Sequence, residues 1–294
     1  MARQHVAAVC CRPLGSGPSA HPADQAAGLR HLLRNEPRRR LRVLAVTGSA
    51  VRSGNSAIVA ELARHAAPVE RVLVVDQTAN EVARHAGLTV RHDLFDVVSG
   101  RLGFESVTVR SGGWRLLPAQ RGLAQLAAAG TTGDGLFTGF LRIREPVSLL
   151  LLNVDRAEGW LSKLVAEGNE VLLVTAPGPA AITAAYARLK ELGAGAAQGG
   201  SQGARCTIRV LVNGAADYAD ARRVFRVLAD TARNFLDMDP VYAGFLPPDR
   251  NGVPFGCSRH APLPACEAAL TRLTAAVRSW RLAEYGLHDT TAVE

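Results

Sequence analysis

Seven short apolar runs recur along the chain, separated by segments whose apolar residues repeat every three or four positions. The runs are RVLAVTG (42–48), RVLVVDQ (71–77), WRLLPA (114–119), SLLLLNV (148–154), EVLLVTAP (170–177), CTIRVLVNG (206–214) and PVYAGFLP (240–247). They are apolar at consecutive positions, not at alternate ones, which is the pattern of strands buried on both faces. SAIVAELARHA (56–66) and AAITAAYARLKEL (180–192) carry helical spacing, and a last helix is predicted through about 265–285. Strands alternating with helices predict an α/β fold. The sheet would be doubly wound and mainly parallel, with seven to eight strands and helices on both faces. GAGAAQGGSQG (193–203) reads as a flexible loop, and no internal repeat is visible.

The first forty residues have a different texture. Residues 1–20 are rich in Gly, Pro, Ser and other small residues and are expected to be disordered. In HPADQAAGLRHLLRNEP, Pro22 and Asp24 suit a helix start, and Ala26, Leu29, Leu32 and Leu33 fall at helical spacing before Pro37. The expected organisation is therefore a short amphipathic helix at 21–36 and a basic linker at 37–41. The α/β domain follows at 42–286, with a loose tail at 287–294. The last predicted helix carries Leu270, Leu273, Val277, Trp280 and Tyr285 on one side and Arg272, Arg278 and Arg281 on another. Such a helix either packs on its own core or lies on a membrane surface, and its narrow apolar stripe favours the core.

Composition narrows the classes. With 294 residues and 48% hydrophobic content, the chain suits one large domain or two small ones. No apolar run approaches the ~20 residues that cross a bilayer. The N-terminal apolar patch lacks the sustained core of a secretion signal, so the protein is placed in the cytoplasm. The cysteines are Cys10, Cys11, Cys206, Cys257 and Cys266, with no C-x-x-C pair, and read as reduced thiols. The formal charge is +8, and RNEPRRRLR (34–42) holds a cluster of arginines. That stretch fits an anionic partner or a solvated linker equally well. Aromatic residues make up 5% of the chain and none is interleaved with those arginines, which argues against nucleic acid.

Open parallel sheets bind ligands at the carboxyl ends of their strands. The segments with unusual chemistry all follow strands: 47–56, 76–80, 153–158, 177–179 and 213–217. The first, VTGSAVRSGNSA (47–58), has the setting of a phosphate-binding loop. A working loop reads G-x-x-x-x-G-K-[ST]: glycines let backbone amides wrap phosphates, the lysine neutralises charge, and the hydroxyl holds magnesium. Here Ser49 stands at the first glycine position, with Gly48 one residue early, and Gly54, Asn55 and Ser56 end the motif. Asn55 donates hydrogen bonds but carries no charge. Arg52 is the one cation within the loop that would compensate. Taken alone, the motif favours a strand-to-helix turn without a ligand.

The wider pattern changes that reading. LRVLAVTGSAVRSGNSAIVAELA (41–63), RVLVVDQTAN (71–80), RLLPAQRGL (115–123), TAPGPAAITAAYARLK (175–190) and VLVNGA (210–215) together resemble the MinD/ParA class of P-loop ATPases over roughly residues 42–282. Ahead of that region, Asp24, Gln25, Ala26, Leu29 and Arg30 form D-Q-A-x-x-L-R. This motif resembles the activator helix of the flagellar number regulators called FlhG, FleN or YlxH. The resemblance implies that the helix docks on the signal-recognition-type GTPase FlhF and stimulates its GTP hydrolysis. A helix packing on its own domain is the plain alternative.

The resemblance also marks what is missing. Ala50 stands where the family has its signature lysine, and Asn55 where it has the P-loop lysine. Asp76 keeps the first switch carboxylate, but Thr78 replaces the second, which orients the attacking water. Asn153 replaces the Walker B aspartate, with Asp155 two residues on. Asn213 keeps the position that reads adenine. Phosphoryl transfer depends on positioning and charge stabilisation, and these losses remove both. The resemblance therefore implies a pseudo-ATPase with no catalytic residues of its own and no expected cofactor. ATP with magnesium on Ser56 is the exception, should nucleotide bind. Expected partners are an FlhF-type GTPase and a flagellar transcription regulator or switch-complex protein, and the last helix adds a membrane-surface option at the inner membrane or cell pole. The alternative is an ATP-dependent switch that dimerises and associates with the membrane.

Overall fold

The computed structural model describes residues 41–50, 52–129, 146–155, 170–198, 207–258, 262–280 and 283–285. The expected helix at 21–36, residues 37–40 of the expected linker and the tail at 287–294 lie outside the described residues. Leu41, assigned above to the linker, is the first residue of a strand and fully buried.

The elements run β1 (Leu41–Gly48), α1 (Asn55–Ala66), β2 (Val72–Asp76), α2 (Glu81–His85), α3 (Leu94–Val98), α4 (Phe104–Val107), β3 (Val109–Ser111), β4 (Trp114–Pro118) and α5 (Gln120–Ala128). They continue with β5 (Leu149–Val154), β6 (Glu170–Thr175), α6 (Pro179–Gln198), β7 (Thr207–Asn213), α7 (Tyr218–Leu236), β8 (Val241–Leu246), α8 (Pro264–Ser279) and β9 (Ala283–Tyr285). The sheet order is β3-β4-β2-β5-β1-β6-β7-β8, with β9 beside the start of β1. Every pair from β4 to β8 along that path is parallel.

Burial of both strand faces explains the uninterrupted apolar runs. Successive side chains of β1 point to opposite faces. Leu41, Val43 and Ala45 pack into one core with residues of α3, α5, α6 and α7. Leu44 and Val46 pack into the other, with residues of α1, α2 and α8. The seven predicted strands are all present, within a residue or two at their ends.

Four features differ from the pattern reading. The sheet has nine strands among the described residues, because β3 and β9 are antiparallel three-residue additions. Three residues are too few to show a period. Residues 193–198, read as loop, are the final turns of α6. Gly193 lies there close against Met238, where an added Cβ would stand 3.2 Å from the sulfur. Tertiary packing outweighs the poor helix propensity of glycine at such a contact. The last helix stops at Ser279, and Trp280 caps it in an extended conformation. Tyr285 therefore belongs to β9, paired with Leu41, while Arg281 lies outside the described residues. Finally, α7 occupies a stretch to which the runs above assign no element. Its buried Ala221, Val224, Phe225, Leu228, Ala229 and Ala232 are spaced at three and four, and the Asp217 side chain caps its start.

The apolar stripe of α8 faces inward. Leu270, Leu273 and Val277 are buried in the core shared with α1, and Trp280 packs against it. This is the core-packing reading of the last helix, and it leaves that stripe unavailable to a membrane surface.

Candidate functional site

The carboxyl ends of β1, β2, β5 and β7 converge on the start of α1. Strand register sets the first contact: Asp76 and Asn153 are paired neighbours, and Val46 is paired with Asn153 on its other side. In-register neighbours on parallel strands point to the same face. Asp76 and Asn153 thus stand side by side beneath α1, both essentially without solvent exposure.

The loop from Ser49 to Gly54 turns back over them. Its Ser49 N–H donates to the Val174 carbonyl of β6, and Ser53 N–H donates to the Ala50 carbonyl. Gly54 adopts φ of 85° and leads into α1 without a side-chain cap. An added Cβ there would lie 2.2 Å from the Phe255 carbonyl, so glycine is required by space as well as by the left-handed backbone.

Asn55 is turned into the loop. Its Nδ2 donates to Asn153 Oδ1 at 2.9 Å, and its Oδ1 accepts from Ser53 Oγ at 2.9 Å. Asn153 Nδ2 in turn donates to Asp76 Oδ1 at 2.8 Å and Ser56 Oγ at 3.0 Å, with Thr78 Oγ1 further away at 3.4 Å. Ser56 Oγ donates to Glu81 Oε2 at 3.2 Å. Thr78 donates to Asp76 through both its hydroxyl and its N–H, and Val82 N–H reaches the other carboxylate oxygen. Burial pushes the Asp76 carboxyl above its usual pKa, opposed by these donors from Thr78, Asn153 and Val82.

Six of the sequence-derived positions or their neighbours therefore form one hydrogen-bonded chain: Ser53, Asn55, Ser56, Asp76, Thr78 and Asn153. Asn213 joins it through the backbone. Its Nδ2 donates to the Ser53 and Phe255 carbonyls, each at 2.9 Å, and its Oδ1 accepts from Phe255 N–H at 3.1 Å. Both N–H donors of this carboxamide are thereby committed to backbone carbonyls. Arg52, the candidate compensating cation, has φ of 65° and donates to the Cys257 carbonyl at 3.1 Å. Ala50 is exposed, and Asp155 lies just past the end of β5, exposed, with its N–H on Gln77 Oε1. Asp24, Gln25, Ala26, Leu29 and Arg30 lie outside the described residues. Ser53, Glu81, Phe255 and Cys257 enter the site without any motif to announce them, since each acts through position.

The fit of a magnesium nucleotide can be tested on this geometry. An added Cβ on Gly48 would lie 2.0 Å from Ser53 Oγ and 2.8 Å from Asn55 Oδ1, so these two side chains pack tightly against Gly48. Asn55 brings no positive charge into the loop, Arg52 donates to the Cys257 carbonyl, and Asn153 removes one magnesium-network carboxylate. The residues present do not fit ATP with magnesium. A cavity of about 880 Å³ opens at the end of the loop and runs along the flank of α1, lined by Arg52, Gly54, Asn55, Ser56, Glu81 and Cys257 among others.

Comparison with known proteins agrees with the fold. No family profile matches the chain. The solved cobyrinic acid a,c-diamide synthase of Mycobacterium smegmatis, bound to ADP and magnesium, is similar with a TM-score of 0.59 and 18% identity, covering 81% of this chain and 94% of that one. MinD from Pyrococcus horikoshii, complexed with Mg-ADP, gives a TM-score of 0.55 and 17% identity over 81% and 96% of the two chains. MinD of Aquifex aeolicus gives 0.53 and 16% over 82% and 98%. These likenesses establish the fold. Antiactivator FleN of Pseudomonas aeruginosa is 30% identical over 219 residues, 72% of this chain and 75% of that protein. With its MinD-like sheet and that extent of identity, the chain belongs to the FlhG/FleN family of MinD/ParA-like proteins.

Proposed function

We propose that the chain is a flagellar number regulator of the FleN kind that works by contact with protein partners and does not hydrolyse ATP. The observation that carries this reading is the 2.9 Å bond from Asn55 to Asn153, which places an uncharged amide where a phosphate loop needs a lysine and closes the loop upon it. A triphosphate held without that charge loses the electrostatic term on which phosphoryl transfer depends. The relative's description as an antiactivator supports a transcription activator as one partner. The D-Q-A-x-x-L-R motif supports a second, an FlhF-type GTPase whose hydrolysis Asp24, Gln25, Leu29 and Arg30 would stimulate. No helix among the described residues is long and apolar enough to cross a membrane.

Two measurements test the two halves. Calorimetric titration with ATP and magnesium is expected to give no binding heat and no phosphate release; micromolar binding with turnover would sink the non-hydrolysing reading. A peptide spanning residues 20–36 is expected to accelerate GTP hydrolysis by the partner. Absent stimulation, or stimulation indifferent to Gln25→Ala and Leu29→Ala, removes the adaptor role.

A further inference from the structure

We infer that the Asn153 amide takes the place of a divalent cation, joining the phosphate loop to the two strands behind it so that the closed arrangement holds without nucleotide or metal. The inference rests on the non-hydrolysing reading for its biological meaning, but its geometry stands by itself. Asp76 and Asn153 are register neighbours, with Asn153 Nδ2 2.8 Å from Asp76 Oδ1. Two carboxylates at that spacing, buried, would repel, and a cation between them would be the usual remedy. An amide turns the repulsion into a donor–acceptor pair.

The polarity of the whole chain agrees. Ser53 donates to Asn55, Asn55 to Asn153, Asn153 to both Asp76 and Ser56, and Ser56 to Glu81. Each donor has an acceptor, and no step requires two acceptors to face one another. The chain links α1, β5, β2 and α2, the elements that a bound nucleotide and its metal would otherwise couple. Buried polar groups satisfied in this way specify one arrangement.

The test is Asn153→Asp, studied in the full chain by hydrogen exchange and thermal unfolding. Exchange at the amides of 53–57 and 76–82 is expected to rise about tenfold as the loop separates from the strands. The midpoint of unfolding should fall by roughly 5 °C. Millimolar magnesium chloride should reverse both changes in the variant and alter neither in the wild type. An N153D protein that exchanges and melts like the wild type without magnesium overturns the inference, as does one that magnesium fails to rescue although it folds. Folding only in the presence of magnesium supports it. Should N153D fold in neither condition, Asn55→Ala decides. Faster exchange at 53–57, with 76–82 still protected, supports the chain of bonds, and unchanged exchange at 53–57 overturns it. ATP titration of the wild type is a separate arm: binding with turnover there would defeat the non-hydrolysing reading and leave the exchange result standing.

Discussion

Asn213 is fully buried at the end of β7, and its carboxamide touches only backbone: the Ser53 carbonyl inside the phosphate loop and the carbonyl and N–H of Phe255. The side chain thus fastens the loop before α1 to the segment after β8. Removing a buried amide leaves three backbone groups without partners, each costing more than the bond itself was worth. Asn213→Ala should therefore lower stability by about 3 kcal/mol, read from denaturant unfolding, and speed exchange at the Phe255 amide. At this scale the sequence is legible in one respect. It shows which residue types are present, so the missing charge at Asn55 and the missing carboxylate at Asn153 need no coordinates. What each amide touches is not legible. Asn55 meets Asn153 across 98 positions, and Asn213 meets Ser53 across 160. The same asparagine that would read a base in a nucleotide-binding relative is here a buckle, a difference made entirely by its neighbours.

α8 carries its apolar residues where the spacing predicts them, and its partner decides their meaning. Leu270 is completely buried between α1 and the sheet, with Leu273 and Val277 beside it. A stripe so placed stabilises the domain. Leu270→Ala should cost about 2–5 kcal/mol by loss of buried surface and creation of a cavity, with an unchanged denaturant slope in urea unfolding. A stripe held out for a membrane would instead show almost no loss. Strands were the most legible elements, because burial on both faces writes an apolar run into a few adjacent residues. Helix ends were the least. The extension of α6 past Gly193 involves packing against Met238, and the end of α8 precedes strand β9, which pairs with β1. Both partners lie far away in the chain, where local periodicity carries no trace of them.

In the whole molecule, a sheet with helices on both faces brings four strand ends to one place, and there Asn55, Asp76 and Asn153 meet. If the closed loop excludes nucleotide, assembly has no ATP input. Sedimentation velocity should give the same distribution with and without ATP and magnesium; a shift to a larger species with ATP would overturn that expectation. The sequence by itself determined the α/β class, the positions of seven strands along the chain and the absence of the loop lysine. These are properties of adjacent residues: apolar runs, helical spacing and residue type. Only the tertiary structure decided that the loop is tied down by its own side chains. That outcome depends on strand register, which sets Asp76 beside Asn153, and on loop closure, which brings Asn55 over both. Register and closure are settled by the packing of the entire sheet, so no short stretch of sequence contains them.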